Sequence, residues 1–139
     1  MHERSTRFLL DTNVFIAAAK RGWTRTTDLV LRLIEGEEDL IANEALIGEY
    51  RKYAREFGDW GQLLLDQIFL KVVVLEIPDE SITRCKPLFP EVQEADILHA
   101  ATCLSASAIL ISNDRYFDKI KEAGIIEVWT ISEAIAKML

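Results

Sequence analysis

The chain of 139 residues is half hydrophobic and 28% charged, which excludes a disordered or low-complexity polymer and suits one domain spanning 1–139 with a real core. Its net charge of −7 excludes a generally basic nucleic-acid binder, but not a metal-dependent nuclease, whose centre is itself a cluster of acids. Cys85 and Cys103, the only cysteines, have neither zinc-site nor disulfide-framework spacing and read as reduced core residues of a cytosolic protein. The apolar run after the charged start is too short for a secretory signal, and no stretch reaches the ~18 apolar residues of a membrane span, so a soluble, cytoplasmic chain without a membrane partner is expected.

Phe8-Leu9-Leu10 is an all-apolar run of the kind buried on both faces of a parallel sheet, and it ends on Asp11. An acid there stands at the carboxyl edge of the sheet, where open α/β sheets bind ligands. The plainer reading of Asp11 is a helix cap, a role that Thr12 and Asn13 share, ahead of a short helix through Ala19. Lys20-Arg21-Gly22-Trp23 breaks that helix, and Thr24 to Ile34 predicts a second one with Leu29, Val30, Leu33 and Ile34 as its apolar stripe. Asp39 to Ala42 reads as a strand, and Asn43 caps a third helix running to about Phe57.

Leu46, Tyr50, Tyr53 and Phe57 form the apolar stripe of that third helix, and Glu49 lies beside it, roughly 40–60° around the axis. Glu49 is two turns into the helix, beyond any capping role. Gly58-Asp59-Trp60-Gly61 is expected to turn the chain into a fourth helix, about Gln62 to Leu70, followed by a strand over Val72 to Leu75. Pro78, Pro87 and Pro90 punctuate an irregular section with a short helix near Glu80 to Cys85. From about Val92 to Ser105 the residues are apolar on nearly every side, which predicts a buried helix with Asp96 in its first turns.

Ala108 to Ile111 reads as another buried strand, closed by Ser112-Asn113-Asp114 much as Asp11 closes the first. A helix from Tyr116 to about Ala123 stops at Gly124, a strand follows over Ile125 to Trp129, and Ser132 opens a terminal helix. Strands alternate with helices throughout, so the fold class is α/β with a mostly parallel central sheet covered by helices on both faces. Right-handed crossovers then bring Asp11 and Asp114 to one edge.

Carboxylates gathered on such a rim repel one another, and each has a raised pKa unless a cation is present. Mg²⁺ and Mn²⁺ take oxygen ligands and are held by a few carboxylates plus substrate phosphates, which points to metal-assisted phosphodiester hydrolysis. His99 reads as a hydrogen-bonded core residue, Glu94 as a solvated acid, and Asp118 as a helix-surface acid one turn beyond Asp114. Lys20, Arg21, Arg25 and Arg32 form a basic flank that either steers RNA phosphates or is simply solvated, and Trp23 and Trp60 suit packing or base stacking.

Four segments, Leu9 to Phe15, Glu49, Glu94 to Ala101 and Ile111 to Phe117, together resemble the PIN domain, the nuclease fold of VapC-type toxins from toxin–antitoxin modules. The resemblance covers essentially the whole chain in order and implies a three-layer α/β/α fold. It implies that Asp11, Glu49, Asp96 and Asp114 are the catalytic acids that bind Mg²⁺ or Mn²⁺, with Asn13 and Ser112 in support. It further implies an endoribonuclease whose metal-activated water leaves the hydroxyl on the 3′ side, an antitoxin partner seated between the first helices and the third, and a homodimer. Three alternatives stay open: a stand-alone PIN nuclease of RNA processing, a catalytically inactive PIN-like interaction module, and an α/β domain in which Asp11 accepts a phosphoryl group. The absence of a second acid two residues after Asp11 disfavours the phosphatase form of the last.

Overall fold

The computed structural model describes residues 5–89 and 93–139; the start Met1–Arg4, the Pro90 break and the expected helix start at Val92 lie outside them. Among the described residues the strands are β1 (Arg7–Leu10), β2 (Asp39–Ala42), β3 (Val73–Val74), β4 (Ile109–Ile111) and β5 (Glu127–Trp129). The helices are α1 (Thr12–Ala19), α2 (Arg25–Glu35), α3 (Glu44–Glu56), α4 (Gly58–Phe69), α5 (Asp79–Cys85), α6 (Glu94–Ala106), α7 (Asp118–Glu122) and α8 (Ile131–Met138). The sheet order is β3-β2-β1-β4-β5, and every described pairing is parallel, giving a three-layer α/β/α fold.

This order positions the site. From β1 the chain moves outward to β2 and β3, returns to β4 on the other side of β1, and then moves outward again to β5. The strand order therefore reverses between β1 and β4, and at such a switch point the connecting loops diverge and leave a crevice beyond the strands' carboxyl ends. Leu10 pairs with Ile111, and the Asp11 N–H donates to the Ile111 carbonyl at 3.0 Å. Asp11 and Ser112 consequently leave the sheet side by side.

Burial follows the apolar pattern. Phe8, Leu9, Leu10, Leu110 and Ile111 are buried, as both-face coverage of a parallel sheet requires. Helix α6 buries Ile97, Ala100, Ala101 and Cys103 and runs one residue past Ser105, ending where Ser107 takes a left-handed φ of 54°. Cys85 and Cys103 are free and buried, and burial raises both thiols above their ordinary range, which leaves them inert.

The last strand is shorter than expected, Glu127–Trp129 rather than from Ile125, and three further boundaries differ from the sequence expectation for physical reasons. Residues 58–61 do not form a separate turn: Gly58, with φ +72°, reverses the chain beside Phe57, and Gly61 already lies in α4. Strand β3 shrinks to Val73 and Val74, both exposed at the sheet's edge, although the Leu75 N–H still bonds the Ala42 carbonyl at 2.8 Å. The expected helix from Tyr116 opens as a tighter 3₁₀ turn, Arg115–Phe117, because the Asp114 carboxylate accepts from the Tyr116 N–H at 3.0 Å.

Gly61 lets α4 approach α3 closely. A Cβ there would lie 2.9 Å from the Phe57 Cβ and 3.0 Å from the Ala54 carbonyl oxygen, neither of which swings aside freely. Gly61→Ala is expected to destabilise the chain by about 1–3 kcal/mol through overpacking. Urea denaturation measures this directly; an unchanged midpoint would mean that the two helices separate without cost.

Candidate metal centre

Asp11 is buried, follows β1 directly and caps α1, so the capping role belongs to the acid itself rather than to Thr12 or Asn13. Its two oxygens divide the work. Oδ1 accepts from the Thr12 N–H at 2.8 Å, and Oδ2 accepts from the Ser112 hydroxyl at 2.6 Å and from Asn13 Nδ2 at 3.3 Å. A buried carboxylate needs such donors to remain charged.

Ser112 and Asn13 are in turn held by the loop after β4. The Ser112 Oγ accepts from the Asp114 N–H at 3.0 Å and from Asn13 Nδ2 at 3.2 Å, and Asn13 Oδ1 accepts from the Asn113 N–H at 3.3 Å. Asn113 Oδ1 accepts from the Ile131 N–H at 2.9 Å, tying this loop to the start of α8. The two loops at the switch point thus form one hydrogen-bonded unit, and Asp114 sits at its mouth.

The third acid arrives on α6. Oxygens of Asp11, Asp96 and Asp114 all lie within 4.8 Å of one another. Three carboxylates at this range cannot all ionise cheaply. Burial, then the charges of Asp114, Asp11 and Glu49, push the Asp96 carboxyl up to about 7. Burial also raises Asp11 from the usual carboxylate value; the Ser112 and Thr12 donors pull it back, and Asp114 pushes it up again.

Glu49 lies outside this triad of oxygens but borders it: the Thr12 hydroxyl donates to Glu49 Oε2, and Thr12 is chain neighbour to Asp11. The next residue on α3, the buried Tyr50, donates its hydroxyl to the Leu10 carbonyl at the end of β1. Glu49 and Tyr50 therefore anchor α3 to both sides of the β1–α1 junction. Asp118 and Glu94 are exposed and stand outside the triad.

A buried polar clasp joins the helices that carry Glu49 and Asp96. Asn43 caps α3 by accepting from the Leu46 N–H at 2.8 Å. Its Nδ2 donates to His99 Nδ1 at 3.1 Å and to the Thr102 hydroxyl at 3.0 Å, and Thr102 donates to the Leu98 carbonyl at 2.8 Å. His99 Nε2 has no hydrogen-bond partner among the described residues. Burial lowers the imidazole to about 4, against the opposing pull of the Glu49 charge, so His99 stays neutral at ordinary pH.

Sequence reasoning read Asn43 and Thr12 as caps and missed these further bonds. The signal was slight: a hydroxyl directly after a strand-ending acid, and an amide that brings two donors to a role needing only an acceptor.

The donor set suits a hard divalent cation. It consists of oxygens, includes more negative charge than the fold can leave unpaired, and is closely spaced enough for one hydrated ion to span. The centre could hold a metal through Asp11, Asp96 and Asp114.

The family model of the PIN domain matches residues 8–123. Among solved structures the chain is similar to VapBC2 from Rickettsia felis bound to a DNA fragment from their promoter, with a TM-score of 0.70 and 13% identity over 90% of this chain and 98% of that one. It is also similar to VapBC-1 from nontypeable Haemophilus influenzae, with a TM-score of 0.62 and 21% identity over 91% and 99% of the two chains. A PilT N-terminus domain protein from Sulfolobus solfataricus P2 matches with a TM-score of 0.55 and 16% identity over 96% and 94%. No curated protein sequence matches the chain. At these identities the structural likeness is one of fold. No helix among the described residues is long and apolar enough to cross a membrane.

Proposed function

The chain belongs to the PIN domain family, generally a family of nucleases, and from that premise we propose that it is a Mg²⁺- or Mn²⁺-dependent endoribonuclease, the toxin of a VapBC-type toxin–antitoxin module. The observation that carries the reading is the meeting of Asp11, Asp96 and Asp114 within 4.8 Å at the crevice between β1 and β4. In this reading the whole chain acts as one nuclease domain in the cytoplasm. The three aspartates hold the ion, and Glu49 completes the acidic set from α3.

When bound, the ion supplies Lewis acidity toward a phosphoryl oxygen and makes a coordinated water a better nucleophile at neutral pH. The remaining work falls to the chain. Ser112 and Asn13 fix the Oδ2 lone pairs of Asp11, so that this carboxylate meets substrate in one orientation. Thr12 holds Glu49 against the same junction. Asp96, raised to about 7 by burial and by the charges of Asp114, Asp11 and Glu49, would be the third carboxylate to hold the ion. His99 takes no part, since it is buried and engaged with Asn43.

Partners follow from the family reading rather than from the centre. Two of the similar structures are VapBC proteins, which supports an antitoxin partner here. Trp23 packs against Trp60 with the rings tilted and their centroids 5.8 Å apart, joining the loop after α1 to α4, and Trp23, Leu63 and Leu70 expose large apolar surfaces. Such exposed apolar surface suits a helix or extended segment from a partner. A homodimer is the proposed assembly.

The deciding experiment is cleavage of a fluorescent RNA panel with Mg²⁺, Mn²⁺ or chelator, beside the Asp11→Asn chain. Cutting is expected with either metal, none with chelator, and none by the variant. Cutting that survives both chelator and the substitution would assign the activity elsewhere. A folded protein that cuts nothing under either metal would overturn the nuclease reading.

A further inference from the structure

The chain segment that follows Asp11 carries the opposite sign to the chain as a whole. No acid falls between Asp11 and Asp28, whereas Lys20, Arg21 and Arg25 do, in a protein of net charge −7. Helix α1 connects the two regions: Asn13, in its first turn, holds Asp11, and Lys20 caps its far end. Between them lies a cleft of about 410 Å³ lined by Asn13, Ile16, Ala17, Lys20, Arg21 and Thr24.

Gly22, at φ +77° with open space around it, turns the chain at once, so Lys20 and Arg21 remain exposed at the rim. Neither takes part in an ion pair among the described residues. Seven helical steps separate Asn13 from Lys20, roughly 10 Å along the axis. A lysine or arginine stem reaches back over part of that span. The two cations therefore stand within reach of phosphates adjoining one held at the acids.

We propose that this cleft is a substrate subsite, in which Lys20 and Arg21 bind the phosphates flanking the scissile one in single-stranded RNA. The assignment rests on the nuclease reading and deepens it by stating on which side of the centre the strand runs. It also accounts for how an acidic protein engages a polyanion: the attraction is local, and it is placed where the strand leaves the acids. An acidic protein segment would meet the same cations, but the cleft opens at Asn13, the residue that orients Asp11, which favours the ligand whose reacting group lies there.

The test uses a fluorescein-labelled single-stranded RNA 12-mer, with Mg²⁺ present and KCl varied from 50 to 200 mM. Its affinity is measured by anisotropy for the catalytically inert Asp11→Asn chain, alone and with Lys20→Gln plus Arg21→Gln. A control pair, Arg84→Gln plus Lys86→Gln, removes the same charge from exposed positions at α5 and just after it. Loss of two phosphate contacts is expected to flatten the slope of log affinity against log salt by about 1.4, so that affinity falls about sevenfold less across that range. The control slope should stay near that of the parent.

In the active chain the cleft pair should raise KM for the 12-mer while kcat holds. An unchanged slope, or one that the control pair lowers equally, overturns the subsite while leaving metal-dependent cutting intact. A parent that neither binds nor cuts RNA removes the nuclease reading, and the subsite with it.

Discussion

Asp96→Asn is expected to make the metal-free protein more stable and to abolish its metal-dependent chemistry. In the folded chain the Asp96 carboxyl sits at about 7, because of burial first and then the charges of Asp114, Asp11 and Glu49. Its unfolded value is about 3.9. Between these values the folded protein holds a proton that the unfolded chain has released, so the contribution of this group to stability falls as pH rises from about 4 to about 7 and is level above. The asparagine carries no charge and escapes the penalty. Because Asp96 is only half-buried, solvent screening reduces the gain to about 1–2 kcal/mol at pH 8.

Urea denaturation in chelator at about pH 4 and pH 8 separates the two forms: near-equal stability at the lower pH and a more stable variant at the higher. Added Mn²⁺ should reverse their order, since an ion that binds only the folded parent stabilises it by mass action. RNA cleavage by the variant should fall by more than about 100-fold, beyond the loss typical of an outer-shell change. A variant no more stable than the parent at pH 8 would show that the three carboxylates are not in conflict.

Asn43→Ala should produce a large loss of stability for a single polar exchange. The asparagine is buried, caps α3 and donates to His99 and Thr102, so truncation removes three hydrogen bonds together. The lost cap costs about 1 kcal/mol. His99 Nδ1 then loses its partner in a site closed to water, which adds about 1–3 kcal/mol. A total near 2–4 kcal/mol is expected from urea or thermal denaturation. The clasp also sets the position of α3 against α6, so Mn²⁺ affinity should fall with stability. Asn43→Asp, which keeps the capping oxygen, should recover the cap and not the clasp. Full recovery by aspartate would mean that the contacts to His99 and Thr102 contribute nothing.

Much of this architecture is legible in the sequence. Asp11 and Asp114 each close a short apolar run, and a run too apolar to be half-exposed must be a buried strand. The bounds of β2, the Asn43 cap and the burial of α6 follow from local composition in the same way. Local signals were weaker where the chain reverses. Gly58 and Gly61 look alike in sequence, yet one supplies the left-handed turn and the other a close helix contact.

By itself the sequence determined the strand and helix alternation, the parallel sheet and the acids placed at the ends of its elements, because hydrophobic period and capping chemistry act over a few neighbouring residues. Only the tertiary structure decided that Asp96 joins Asp11 and Asp114, that Thr12 holds Glu49, and that Asn43 binds His99 and Thr102. Those pairings join residues tens of positions apart, and no local period encodes them. They exist because the strand order reverses beside β1, which brings the end of β4 and the start of α6 to the carboxylate that β1 leaves at the edge of the sheet.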